Sequence, residues 1–200
     1  MSQTTYCSTV NLMYPVNPDL RLMSKKSTPK KLKFLKVQVE PDEGQKLREQ
    51  QLRQYSFFQL RIHLKRGQNL IAMDKNGTSD PYVKFKVAGR LLHKSRIVYR
   101  DLNPVWDECF TVPIEDPFLP VQLKVFDYDW GLQDDFMGVC HLDLTALELG
   151  RSQDLVLCLR DPNKPTNQDL GEIVLNVTLY PKSQEDKEQV KWDVLPVTYK

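Results

Sequence analysis

From Phe58 onward apolar residues recur at every second position, the period of a strand with one buried and one wet face. Leu60, Ile62 and Leu64 alternate with Arg61, His63 and Lys65 and predict a first strand. Val83, Phe85 and Val87, separated by Lys84 and Lys86, predict a second. A third is expected over His93–Tyr99, a fourth over Trp106–Ile114, a fifth through Val121, Leu123 and Val125, and a sixth from about Phe136 to Leu144. Leu155, Leu157 and Leu159 mark a seventh, and Ile173, Leu175, Val177 and Leu179 an eighth. Turn formers punctuate the series at Lys75-Asn76-Gly77, Ala88-Gly89, Leu102-Asn103-Pro104, Trp130-Gly131 and Asp161-Pro162-Asn163. Asp143–Leu149 fits a helical turn. The prediction is an all-β chain, an eight-stranded antiparallel β-sandwich closing within residues 58–181.

The flanks have another texture. Residues 1–57 read as a flexible leader, polar at first, with Pro15, Pro18 and Pro29, then a basic and apolar mix over Lys30–Val37. Within it, residues 44–56 are rich in Gln, Arg and Leu and suit a helix. Residues 182–200 read as a polar tail with a short amphipathic piece around Val190, Trp192 and Leu195. No run approaches the roughly 18 apolar residues of a spanning helix, and the N-terminus lacks a secretory signal pattern. Four cysteines without CxxC spacing suit reduced thiols in a cytoplasmic setting.

A net charge of +2 hides a marked asymmetry. Residues 1–57 hold 10 Lys/Arg against 5 Asp/Glu, whereas residues 58–181 hold 14 against 17. Pro81–Arg100 contains six cations and no acid; Asp127–Asp135 contains four acids and no cation.

Strand reversal decides where the acids meet. In an antiparallel fold the connections between strands 1 and 2 and between strands 5 and 6 lie at the same end. Asp74 and Asp80 belong to the first, Asp127 and Asp129 close strand 5, and Asp135 ends the second. Asp127 and Asp129 have the i, i+2 spacing that points two side chains the same way from extended chain. Clustered carboxylates repel and raise one another's pKa unless a cation neutralises them. Hard oxygen donors on loops suit Ca²⁺, which takes 6–8 oxygens, better than Mg²⁺. The carbonyls of Met73 and Tyr128 are further candidate donors. The plain alternative is that Asp is common in turns. Asp134, beside the better-placed Asp135, is expected to be solvated.

Lys84 and Lys86 share one face of strand 2, and Lys94 and Arg96 one face of strand 3. Paired through Ala88-Gly89, they form a basic strip suited to an anionic lipid surface, each cation being worth about 1 kcal/mol there. An ordinary solvated strand face is the alternative. Nucleic acid is disfavoured, because the sandwich is net acidic and its aromatics do not interleave with the cations. Trp130 and Leu132 lie among the acids at a loop tip, placed either to enter a membrane interface or to pack back on a neighbouring loop.

Gly77-Thr78-Ser79-Asp80-Pro81-Tyr82-Val83, Leu102-Asn103-Pro104-Val105-Trp106, Phe126-Asp127-Tyr128-Asp129 and Asp135-Phe136-Met137-Gly138 together resemble a C2 domain over about residues 58–181. The resemblance implies a sandwich whose loops bind two or three Ca²⁺ through Asp74, Asp80, Asp127, Asp129 and Asp135, with lipid contacts at Lys84, Lys86, Lys94 and Arg96. The last strand at the C-terminal end is similar to the permuted, second-type C2 topology. Phe126–Gly138 and the ending Asp169-Leu170-Gly171-Glu172-Ile173-Val174-Leu175 resemble the first C2 domain of the multiple C2 and transmembrane domain proteins. That likeness implies a calcium sensor at endoplasmic reticulum, vesicle or endosomal membranes, peripheral here, with a longer membrane-anchored relative as a possible partner.

The resulting expectation is a calcium-dependent module for anionic phospholipid, phosphatidylserine or phosphoinositide. A calcium-independent protein-interaction module is the competing expectation. Catalysis is not expected. His63, His93 and His141 lack a nucleophile partner, no GxG motif is present, and Phe85 stands where the last Glu of an EF-hand loop starting at Asp74 would fall.

Overall fold

The computed structural model describes residues 43–131, 133–164, 169–183, 185 and 186. The basic Lys30–Val37 run, Leu132 and the piece around Val190 lie outside the described residues.

Eight strands form two four-stranded sheets, paired antiparallel throughout. In chain order they are β1 (Phe57–Gln68), β2 (Pro81–Val87), β3 (Arg90–Lys94), β4 (Val105–Ile114), β5 (Val121–Asp127), β6 (Asp135–Leu142), β7 (Gln153–Cys158) and β8 (Glu172–Lys182). One sheet has the order β4-β1-β8-β7 and the other β3-β2-β5-β6. A 3-10 turn over Leu144–Ala146 follows β6, capped by Asp143, whose Oδ1 accepts from the Thr145 amide at 2.9 Å.

Alternation explains the core. Phe58, Leu60, Ile62 and Leu64 of β1 are fully buried, as are Val83 and Phe85 of β2 and Val121, Leu123 and Val125 of β5. Each buried side chain of this size contributes about 1.5–3 kcal/mol relative to exposure. Trp106 joins them in one continuous cluster between the sheets.

The strand predicted over His93–Tyr99 is corrected to Arg90–Lys94. Ala88 and Gly89 both take positive φ (47° and 82°), which makes a two-residue hairpin and starts β3 directly at Arg90. The end of β3 is set by Ser95, which is buried. Its hydroxyl accepts from the Val83 amide at 2.9 Å, and its own amide donates to Val83 O. Beyond it the chain crosses toward the other sheet, where the Arg96 amide donates to Glu108 of β4 at 2.8 Å.

The Gln-rich segment forms helix α1 (Glu43–Leu52). Leu52 is 1% exposed and belongs to the sandwich core, and α1 rests beside the 3-10 turn. Packed structure thus begins ahead of Phe58.

Gly171 marks the tightest backbone approach. Its φ is 91°, and a Cβ there would stand 2.6 Å from the carbonyl oxygens of Gln68 and Asn69. This glycine lets β8 start against the end of β1.

Candidate functional site

The connection from β1 to β2 is folded on itself by short-range hydrogen bonds. Ser79, fully buried, donates its hydroxyl to Ile71 O at 3.2 Å and accepts from the Met73 amide at 2.9 Å. Thr78 donates its hydroxyl to Asp74 Oδ2 at 3.3 Å, and the Asp74 amide reaches Thr78 O. Asp74 is thereby fixed at one end of the sandwich.

Pairing then aligns the remaining acids. Pro81 lies opposite Asp127, and Asp127 opposite Asp135. The Asp80 amide donates to Asp127 Oδ1 at 2.6 Å, Asp80 Oδ1 accepts from the Arg100 amide at 2.8 Å, and the Tyr128 amide donates to Asp80 O. Asp74, Asp80, Asp127, Asp129 and Asp135 therefore come to one end from two connections. The connection from β3 to β4 arrives there too, its Asp101 amide donating to Ser79 O at 3.1 Å.

Electrostatics records the crowding. Asp127 is only 2% exposed, and burial raises its pKa. The Asp80 amide and the Ser79 hydroxyl oppose that rise, while Asp74 and Asp129 add to it by repulsion. Asp129 is also shifted upward, by desolvation and then by the charges of Asp135, Asp74, Asp134 and Asp80.

The donor set is all oxygen, negatively charged and mutually repelling, and that chemistry fits a hard cation such as Ca²⁺. Among the described residues, however, no group of three or more His, Cys, Asp or Glu side chains is arranged to hold a metal ion. The carboxylates share a field without forming a closed cage.

Asp134 is not the solvated acid that its sequence position suggests. Tyr82 O–H donates to its Oδ2, and the Asp129 amide approaches its Oδ1 at 3.4 Å. The Tyr82 hydrogen bond, helped by the Asp129 amide and by Lys84 and Lys94, holds this carboxyl below its usual range against the opposing effect of desolvation. Trp130, at the loop tip, is 89% exposed and does not pack back on a neighbour.

Next to the acids, sheet pairing puts Tyr82, Phe126 and Phe136 in one row. Tyr82 and Phe126 stack with centroids 5.8 Å apart, and Phe136 meets Phe126 edge-on at 5.7 Å. The basic strip lies beyond this row. Lys84 of β2 is directly opposite Lys94 of β3. Lys84 Nζ sits 4.3 Å from the Phe126 ring centre, and Lys94 Nζ 4.2 Å from that of Tyr82. Burial lowers the Lys84 pKa first, and the neighbouring Lys94 and Lys86 lower it further, against the opposing charge of Asp134. Arg96 departs from the predicted strip: it lies past the end of β3, and its guanidinium donates to Val105 O at 3.0 Å. Lys124 of β5, opposite Lys84, extends the row of cations and was not singled out by sequence. Its alternation with buried Leu123 and Val125 gave the only signal, an outward-facing position.

The C2 domain family matches residues 58–159. A multiple C2 and transmembrane domain-containing protein of Drosophila melanogaster is 66% identical over 150 residues, which covers 75% of this chain and 16% of that protein. The chain therefore spans about one sixth of that relative's length, and the likeness includes its first C2 domain. Among solved structures, the first of the C2 domains of plant extended synaptotagmin 1 superposes with a TM-score of 0.57 at 22% identity, covering 65% of this chain and 98% of that one. The calcium-bound tandem C2 domains of extended synaptotagmin 2 give a TM-score of 0.52 at 26% identity, covering 71% of this chain and 53% of that one. No helix among the described residues is long and apolar enough to cross a membrane.

Proposed function

The chain belongs to the C2 domain family, and from that premise we propose that its acidic end is a calcium-regulated contact for anionic phospholipid. The observation that carries this reading is the convergence of Asp74, Asp80, Asp127, Asp129 and Asp135 around a nearly buried, repelled Asp127. The calcium-bound state of a structural neighbour supports the choice of ion. So does the oxygen-only donor set, with the Met73 and Tyr128 carbonyls as added donors.

Bound Ca²⁺ would supply positive charge and open positions for lipid phosphate or serine carboxylate oxygens. Two ions would change the local formal charge from about −5 to about −1, and three to about +1. The five carboxylates repel an anionic surface until they are neutralised. Lys84, Lys86 and Lys94 then add attraction, joined by Lys124, with preference for phosphoinositide over a singly charged headgroup. Arg96 contributes less, since its guanidinium already serves Val105. Trp130, standing free at the tip, is placed to enter the membrane interface, and Leu132 is proposed to accompany it.

The proposed setting is cytoplasmic, peripheral on membranes of the endoplasmic reticulum, vesicles or endosomes when calcium is present. A longer membrane-anchored relative is a proposed partner. Residues 58–181 are proposed as the binding unit with helix α1 packed against it, so that the leader within 1–57 is proposed to be separate only ahead of α1, and residues 182–200 are proposed as a tail. The position of β8 between β1 and β7 supports the second-type topology. No catalytic role is proposed.

The second reading is a calcium-independent protein-interaction module, which needs no ion at the acidic end. Calorimetry separates the two. The wild-type chain should bind Ca²⁺, and Asp127→Asn with Asp129→Asn should abolish the heat while circular dichroism stays unchanged. Equal calcium uptake by the double variant would sink the site assignment.

A further inference from the structure

Asp134 stands outside the proposed ligand set, yet it sits where the acidic end and the basic strip meet. On one side its Oδ2 accepts from Tyr82, a fully buried residue of β2. On the other its Oδ1 is approached by the amide of Asp129, so the side chain spans the turn of the β5–β6 connection. The Tyr82 ring lies beneath the Lys84 and Lys94 ammonium groups, at 5.1 and 4.2 Å from its centre. One carboxylate therefore touches the backbone of the acidic connection and faces the cations of the strip through a single ring.

Two physical consequences follow. A buried phenol aimed at a carboxylate acts as a brace, adding a side-chain tie to the two backbone ties of this connection, the β5–β6 pairing and the Tyr128 amide on Asp80 O. A fixed negative charge beside two lysines also competes with any incoming anion for their field.

We infer that Asp134 is a positioning residue with two tasks: through Tyr82 it braces the β5–β6 connection, and its charge is an internal counter-anion for Lys84 and Lys94. The brace rests on the calcium reading given above. The counter-anion task does not.

Calorimetry on the full chain tests both, using Ca²⁺ and, in chelator without calcium, inositol hexakisphosphate as a multivalent phosphate probe. Tyr82→Phe removes the hydroxyl and keeps the ring and the Asp134 charge. Its calcium affinity should fall about fivefold, the net worth of one such hydrogen bond, with phosphate-probe affinity within about twofold of wild type. Asp134→Asn removes the charge at a partly exposed position where the fold is easily kept. Its calcium-free affinity for the probe should rise about threefold, the effect of losing one screened charge. A Tyr82→Phe chain that binds Ca²⁺ as tightly as wild type overturns the brace. An Asp134→Asn chain with unchanged probe affinity overturns the counter-anion. If Tyr82→Phe proves unfolded by circular dichroism, Asp134→Ala compared with Asp134→Asn decides the brace. Both lose the charge, but the carboxamide can still accept from the Asp129 amide and donate to the Tyr82 hydroxyl oxygen while alanine can do neither. The alanine variant should therefore bind Ca²⁺ more weakly than the asparagine variant, and equal affinities overturn the brace. A wild-type chain that takes up no Ca²⁺ defeats the calcium reading and the brace together, while the calcium-free probe still decides the counter-anion.

Discussion

Asp127 concentrates the conflict in this molecule. It is a carboxylate at 2% exposure, compensated by one amide and one hydroxyl, and pushed by two like charges. Its folded pKa is raised above the unfolded value, so the native state holds its proton more tightly than the unfolded chain does. The resulting penalty is complete above the folded value and is lost as the pH falls below the unfolded one, about 4 for an ordinary Asp. Asp127→Asn keeps an oxygen to accept from the Asp80 amide while deleting the charge. In chelator near neutral pH this variant should melt about 2–4 °C above wild type, equivalent to about 1 kcal/mol, and the gap should close on acidification. Thermal melts across pH check this, and equal melting temperatures at neutral pH would contradict it. The five Asp positions were legible in sequence because they flank predicted strand ends and antiparallel reversal brings those ends together. The Asp134–Tyr82 contact was not, because it depends on which way the β5–β6 connection folds. Lys124 looks ordinary until pairing sets it opposite Lys84.

At the scale of elements, periodicity located the strands well where one face is buried. It failed at β3, whose residues are all half-buried or exposed and so leave no alternation to read. There the positive φ of Ala88 and Gly89 and the hydroxyl of Ser95 set the limits instead. Composition suggested the α1 helix but assigned it to a flexible leader. One side chain, Leu52, reverses that for α1 by filling core space that the strands leave open. Leu52→Ala should cost about 2–4 kcal/mol, as for other leucines removed from a core. Chemical denaturation measures it, and a loss under about 0.5 kcal/mol would mean that α1 adds nothing to the sandwich.

At the scale of the molecule, the described β3-β2-β5-β6 sheet carries its charges in bands: acids at one end, then an aromatic row, then lysines on its outer face. An anionic surface is repelled by the first band and attracted by the third, so the net response turns on neutralising the acids. Trp130 projects from the repelling end, where exposure of a large apolar ring otherwise gains nothing. Because lysine attraction is screened by salt and direct oxygen ligation is screened less, raising ionic strength should weaken the phosphoinositide increment more than the calcium-dependent step. The most direct measurement is sedimentation with phosphatidylserine liposomes, with and without phosphoinositide, across a calcium titration. The account predicts pelleting that requires calcium and is strengthened by phosphoinositide; pelleting that ignores calcium, or none at any calcium concentration, would contradict it.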